Sequence, residues 1–177
     1  LLDSNGVYSN GPAVSAGSFR FRGGCLADNG KVIFAPLFQE NMGIYDIATN
    51  TFKLGASVPV GTEIGPDFAG CCKMKNGMIL LAPRNHNTVG LYNPYTDVYT
   101  EGPAHGKGAD AFSGCVPLPD GKVLLIPYSS TSVMLYDYKT NSLITGPSAA
   151  GGHAYSGGVA LSNGDVVLAP ANRPSIG

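Results

Sequence analysis

The sequence predicts an all-β protein in which four-stranded antiparallel sheets stack radially around an axis, a β-propeller. Three observations carry this expectation. First, one stretch recurs four times without a gap, as FRGGCLADNGKVIFAP, FAGCCKMKNGMILLAP, FSGCVPLPDGKVLLIP and YSGGVALSNGDVVLAP, and its turn glycines Gly30, Gly77, Gly121 and Gly164 are 43 to 47 residues apart. That period is the size of one propeller blade. Second, the apolar runs are short, bounded by Gly, Pro, Asn and Asp, and none has a 3.6-residue period, so each unit reads as strands rather than helices. Third, a second half-unit follows the first three copies (MGIYDIATNTFKLG, VGLYNPYTDVYTEG, VMLYDYKTNSLITG). Joining Ile176-Gly177 to Leu1-Leu2-Asp3 recreates it for the fourth.

Each unit divides into strands A to D. Strand A opens on an aromatic (Phe21, Phe68, Phe112, Tyr155), followed two residues later by Gly23, Gly70, Gly114 or Gly157, which lets neighbouring backbones approach closely. The A-to-B turns, Asn29-Gly30, Asn76-Gly77, Asp120-Gly121 and Asn163-Gly164, are strong hairpin signals whose central residues accept positive φ. Strand B is apolar on both faces, as in Val123-Leu124-Leu125-Ile126, the pattern of a strand covered from both sides, and ends at Pro36, Pro83, Pro127 or Pro170. Strand C holds Tyr45, Tyr92 or Tyr136. The turn after it starts at Asp46, Asn93, Asp137 or Asp3, whose side chain can bond the backbone two residues on. Strand D passes through Phe52, Tyr99, Leu143 or Tyr8. The blades are expected at about 19–64, 65–109, 110–152, and 153–177 completed by 1–18. In this arrangement one blade is shared by both termini of a four-bladed ring; half of an eight-bladed ring made by two chains, a homodimer, is the alternative.

Composition bounds the function. The 177 residues are 44% hydrophobic and 13% charged, enough for one core and one domain. With 11 Lys and Arg against 12 Asp and Glu, the net charge is −1, which argues against a broad grip on nucleic acid. No apolar run approaches a membrane span, so no membrane insertion is expected. The chain opens on neither Met nor a basic-then-apolar leader, and reads as a soluble segment cut from a longer parent.

The glycine doublet, the DGK turn and the YD turn are similar to those of the kelch-like propellers, including the central propeller of the galactose-oxidase type and repeats of phage and environmental proteins. The resemblance implies the architecture and not an activity. Kelch blades usually carry a Trp on the outer strand, where this chain has Phe52, Tyr99, Leu143 and Tyr8. Copper-radical chemistry needs ligands from an additional domain that this sequence does not contain, so no cofactor is expected.

The turns repeat almost verbatim, but the B-to-C loops LFQEN, RNHNT, YSSTS and ANRPS keep one length and change chemistry. A fixed frame with varied tips suggests a recognition surface. Its candidate residues are Gln39, Glu40, Arg84, Asn85, His86, Tyr128 and Arg173, with Glu63, Asp67, His105, Lys107, Asp110 and His153 from the D-to-A loops on the same face. They suit sugar hydroxyls or a protein partner, in an extracellular or virion-surface setting. A structural building block and an enzyme working at the ring mouth through His105, His153, Asp67 and Asp110 are the rival readings, a non-catalytic role being favoured. The His residues show no metal spacing and the Cys no CxxC pattern. Cys71 and Cys115 share one repeat position with Gly24 and Gly158, and Cys25 and Cys72 share the next with Val116 and Val159, so all four read as small buried fillers. Adjacent strand residues face opposite ways, so Cys71 and Cys72 are not expected to act together.

Overall fold

The computed structural model describes residues 1–14, 20–60, 66–149 and 151–177; Glu63 and the blade boundaries at 19 and 64 lie outside the described residues. The first sheet comprises β1 (Phe21–Leu26), β2 (Lys31–Pro36), β3 (Asn41–Asp46) and β4 (Thr51–Ser57). The second comprises β5 (Phe68–Lys73), β6 (Ile79–Pro83), β7 (Thr88–Asn93) and β8 (Val98–Ala104). The third comprises β9 (Phe112–Pro117), β10 (Val123–Pro127), β11 (Ser132–Asp137) and β12 (Ser142–Ser148). Each is an antiparallel meander, and β13 (Tyr155–Ala160) pairs with β14 (Val166–Pro170) as a two-stranded fourth sheet. No helix occurs among the described residues. The fold is a β-propeller arc, each repeat forming the strands its apolar runs predict.

The strand C-to-D turns form as expected. Asp3, Asp46, Asn93 and Asp137 each accept a hydrogen bond from the backbone N–H two residues on, at 2.9–3.0 Å. The A-to-B turns correct the expectation. Only the glycines have positive φ (75° at Gly30, 94° at Gly164), while Asn29, Asn76, Asp120 and Asn163 do not. Those side chains instead accept a bond from the N–H two residues on, for example Met78 N–H to Asn76 Oδ1 at 3.1 Å, and this holds the residue before glycine on the ordinary side of the φ map.

Packing runs from sheet to sheet. One face of the first sheet (Ala27, Ile33, Ala35, Met42, Ile44) buries the opposite face of the second (Phe68, Ile79, Leu81, Tyr92). The same arrangement recurs between the second and third sheets, where Met74, Leu80, Ala82, Val89 and Leu91 meet Phe112, Val123, Leu125, Met134 and Tyr136. A Cβ added at Gly23 would lie 3.3 Å from the Gly70 Cα, so the predicted close approach of the first strands is real. β6 and β10 are buried throughout, as a strand covered on both sides must be, whereas β14 is largely uncovered.

The two termini carry the remaining parts of the repeat. Gly177 exchanges backbone hydrogen bonds with Leu168 at 2.9 and 3.1 Å, starting a third strand beside β14. Leu1–Ser9 forms its own C-to-D hairpin through the Leu2 and Tyr8 bridge. Among the described residues, no hydrogen bond joins this hairpin to β14, and β13 does not pack on β1 as β1 packs on β5. β13 and β14 are thus the described strands of the fourth sheet, and the Leu1–Ser9 hairpin is held by its own bonds.

Asp97 ties two blades together. Held at φ 55°, it accepts bonds from Ala56 N–H of the first blade (2.7 Å) and from the Tyr92 hydroxyl (2.9 Å), with Lys53 3.5 Å away. Partial burial works against the charged form, but the Ala56 amide, Tyr92 and Lys53 outweigh it and hold this carboxyl below its ordinary value. A carboxyl so depressed stabilises the fold above the ordinary carboxylate range and loses that contribution as pH falls through its folded value. Asp97→Ala is therefore expected to destabilise the protein by about 1–2 kcal/mol at pH 7. Thermal melts of both proteins from pH 7 to pH 2.5 should show the difference narrowing in acid.

Candidate functional site

The B-to-C and D-to-A loops meet on one face, joined there by a series of backbone hydrogen bonds. Leu37 N–H donates to Arg20 C=O, Asp67 N–H to Leu37 C=O, Arg84 N–H to Asp67 C=O and Ala111 N–H to Arg84 C=O; the series continues through Tyr128 and Ala154 to Ala171 at 2.8–3.0 Å. Each link alternates between bonding within a blade and bonding to the next one. The mouth is a stitched rim that fixes the first residue of each B-to-C loop and the last residue before each strand A.

On this rim, four predicted residues form one polar network. Arg84 Nε donates to Asp110 Oδ1 (2.5 Å), Asn85 Nδ2 donates to Asp67 Oδ2 (2.6 Å), and Asn85 Oδ1 accepts from Asp110 N–H (2.6 Å). Asp67 is 3% exposed, and its second oxygen, Oδ1, is buried with no hydrogen-bond partner among the described residues. Asp67, Asp110 and His153 all adopt positive φ (51–60°), a conformation that Asp and His tolerate better than most residues but that still stores strain. Beside the network opens a groove of about 420 Å³ lined by Phe21, Arg22, Leu37, Phe38 and Arg84.

The other candidates are dispersed. His153 stacks flat on Tyr128 (centroids 4.4 Å apart, planes at 11°), one blade along from the network. Arg173 donates to Gly151 C=O at 3.1 Å. Gln39, on the first blade, accepts a bond from Arg20, and Glu40 is exposed. His86 is buried against Phe68, with Nε2 shared between the two Glu101 carboxylate oxygens at 3.0 and 3.1 Å and Nδ1 buried without a partner. His105 is occupied at both nitrogens, since Nε2 meets His86 C=O at 2.7 Å and Nδ1 accepts from Lys107 N–H at 3.1 Å. His105 therefore braces the loop through both ring nitrogens. The groove residues Arg22 and Phe38 were not legible beforehand. Arg22 sits in a strand whose repeat equivalents are Ala69, Ser113 and Ser156, and that departure was the available signal.

Sequence reading also missed the pairing of the thiols. Cys71 Sγ lies 3.4 Å from Cys25 Sγ across the first blade interface, and Cys115 Sγ lies 3.9 Å from the Leu80 carbonyl oxygen across the second. The hydrogen bond from the neighbouring thiol, reinforced by burial, pushes Cys71 and Cys115 well above the ordinary thiol value, so both stay protonated and weakly nucleophilic at neutral pH. Among the described residues, no group of three or more His, Cys, Asp or Glu side chains is placed to hold a metal ion.

Burial lowers the pKa of His105, against the opposing hydrogen bond to His86 C=O. The unfolded chain then takes up a proton more readily than the native one. The stability that His105 contributes is complete above the ordinary histidine value and falls as pH drops through it toward the lower folded value. Melting temperature is expected to decline from pH 7.5 to pH 5, and His105→Asn should flatten that slope; an equal slope in the variant would contradict the assignment.

No family model and no curated protein matches the chain. Solved structures share its fold. A streptogramin B lyase superposes with a TM-score of 0.78 at 15% identity over 99% of this chain and 59% of the other. A virginiamycin B lyase from Staphylococcus aureus gives 0.69 at 15% over 87% and 50%, and an auxiliary nutrient binding protein from Bacteroides ovatus gives 0.68 at 14% over 94% and 40%. The chain thus spans between two fifths and three fifths of these neighbours, and at such identity the likeness is one of fold: this chain is built like a β-propeller.

Proposed function

We propose that the protein is a binding propeller that recognises a hydroxyl-rich ligand, a glycan or the polar surface of a protein partner, through the stitched mouth. The observation that carries this reading is Asp67. An acceptor oxygen buried without a donor costs about 1–3 kcal/mol, and a ligand hydroxyl offered to it would recover part of that cost. Asp67 is bonded through its backbone to Leu37 and Arg84, both of which line the 420 Å³ groove. Phe38 supplies an exposed apolar surface for a sugar ring, and Arg22 and Arg84 supply donors. The nutrient-binding neighbours are consistent with a binding role. The low charge and the Ser, Thr and Asn content of the loops support an extracellular or virion-surface setting, and the Gly doublet and YD turns support kinship with kelch-like repeats.

An enzymatic reading has one observation in its favour besides the lyase neighbours. His86 is oriented by Glu101 and keeps a second nitrogen without a partner, the arrangement of a positioned base. It is 5% exposed, and the ring lies against Phe68 rather than in the groove, which favours binding over turnover.

A glycan array and a protein pull-down with the full chain, followed by calorimetry on the best ligand, test the proposal. Asp67→Asn and Arg84→Ala should each weaken binding about tenfold, roughly 1.4 kcal/mol, with far-UV circular dichroism unchanged. Unaltered affinity in both variants would move the site away from the mouth.

A further inference from the structure

All four cysteines of the chain sit at two adjacent positions of strand A, and the fold makes those positions neighbours across blades. Side chains alternate along a strand, so the earlier position faces the blade before it and the later one the blade after it. The inner strands bring the two together because they approach at glycine: a Cβ at Gly23 would lie 3.3 Å from the Gly70 Cα, and one at Gly70 3.6 Å from the Gly114 Cα. The third interface shows the contact without sulfur, with Val116 3.3 Å from a Cβ built at Gly158. At the first interface the chain has Cys in both places, Cys25 and Cys71, and their sulfurs are 3.4 Å apart. Cys72 and Cys115 occupy the equivalent places in the next core cluster.

Filling space does not require these thiols, since Val and Gly fill the same two places at the third interface. What sulfur adds is chemistry. Cys71 keeps its proton between two acceptors, Cys25 Sγ and Ile33 C=O, each 3.4 Å away, which leaves Cys25 as the sulfur that attacks. Cys25 and Cys71 are both half-buried, whereas Cys72 is 6% exposed, so the first pair is the one that a small oxidant reaches first. The two sulfurs must close from 3.4 Å to the about 2 Å of a disulfide, a shift within the range of side-chain rotation.

We propose that Cys25 and Cys71 form an oxidation site that joins the first two blades by a disulfide, with a small-molecule disulfide such as glutathione disulfide as the oxidant. The Cys25 thiolate attacks one sulfur of the oxidant, forming a mixed disulfide and releasing one glutathione thiolate. The Cys71 sulfur then attacks the Cys25 sulfur and the second glutathione leaves. The two protons of the protein thiols end on the two glutathiones; the protein loses two electrons and the oxidant gains them. The new bond links residues 46 apart, one whole repeat, and a loop of that length strongly constrains the unfolded chain. It also spans the two blades whose Leu37, Phe38 and Arg84 edge the mouth groove, so oxidation fixes the spacing of those edges. The site is independent of what the mouth binds.

The test starts from the reduced full chain, folded and incubated with glutathione disulfide. Thiol titration should show the loss of two of its four thiols ahead of the others, and mass spectrometry of a non-reducing digest should find the peptide of Cys25 joined to that of Cys71. A protein carrying Cys72→Val and Cys115→Ala keeps only the first pair and assigns the link. It should lose both thiols at monomer mass, and its melting midpoint should rise by about 5–15 °C, a gain that dithiothreitol reverses. Cys25→Val, which installs the residue found at that position in the third and fourth blades, should keep its circular dichroism and show no such rise. Retention of all four thiols by the folded chain, glutathione left on Cys25 as a stable mixed disulfide, a link only between chains, or a link that forms in urea but not in the folded protein would overturn the proposal.

Discussion

The structure depends on one repeated contact, the burial of the rear face of each sheet against the front face of the next. Isolated four-stranded meanders of this size have too little apolar surface to stand alone, and each fully buried Ile, Leu or Phe contributes about 1.5–3 kcal/mol only when a neighbour covers it. The contact is tight because the innermost strands meet at glycine: a side chain at Gly23 would be driven into the backbone of Gly70. Cross-blade bonds such as Asn29 Nδ2–H to Pro94 C=O and Ser113 Oγ–H to Tyr155 C=O, both at 2.8 Å, then fix the rotation between sheets. Strand burial follows directly, with β6 and β10 enclosed and β1 and β13 bare.

The same contact organises the mouth. Because the residue before each of the later first strands donates its N–H to the previous blade, every loop above the rim is anchored by backbone, and tip residues such as His86 and Ser130 add bonds of their own. Chemistry can change there without disturbing the core, which is how Phe38, His86 and Ser130 come to occupy neighbouring loops of one repeat family. The strain at Asp67, Asp110 and His153 is borne by the rim and keeps the polar network in place before any ligand arrives. The thiol pairs belong to the frame rather than to the mouth, lying on the blade interfaces where the repeat brings two adjacent positions of successive blades together.

Much of the architecture was legible in the chain. The four-strand unit, its boundaries at glycine and proline, the Asx turns after strand C and the placement of both loop sets on one face all come from local spacing, and local spacing is what a repeat displays. The functional surface was legible only in part. Arg84, Asn85, Asp67 and Asp110 do converge, but His105 was named for its loop and is consumed by backbone groups, and Arg22 was hidden within a strand. Which of two loop residues turns toward a groove depends on a hydrogen bond to another blade, and no single unit of sequence contains that partner.

The sequence by itself determined that every unit is one twisted sheet with two complementary faces, since side-chain alternation and turn chemistry act within a few residues. Only the tertiary structure decided how far each sheet is enclosed by its neighbours, with β6 and β10 covered on both faces and β14 largely exposed. The angle between blades is set by how far apart the packed faces hold successive sheets, a sum over side chains from different repeats.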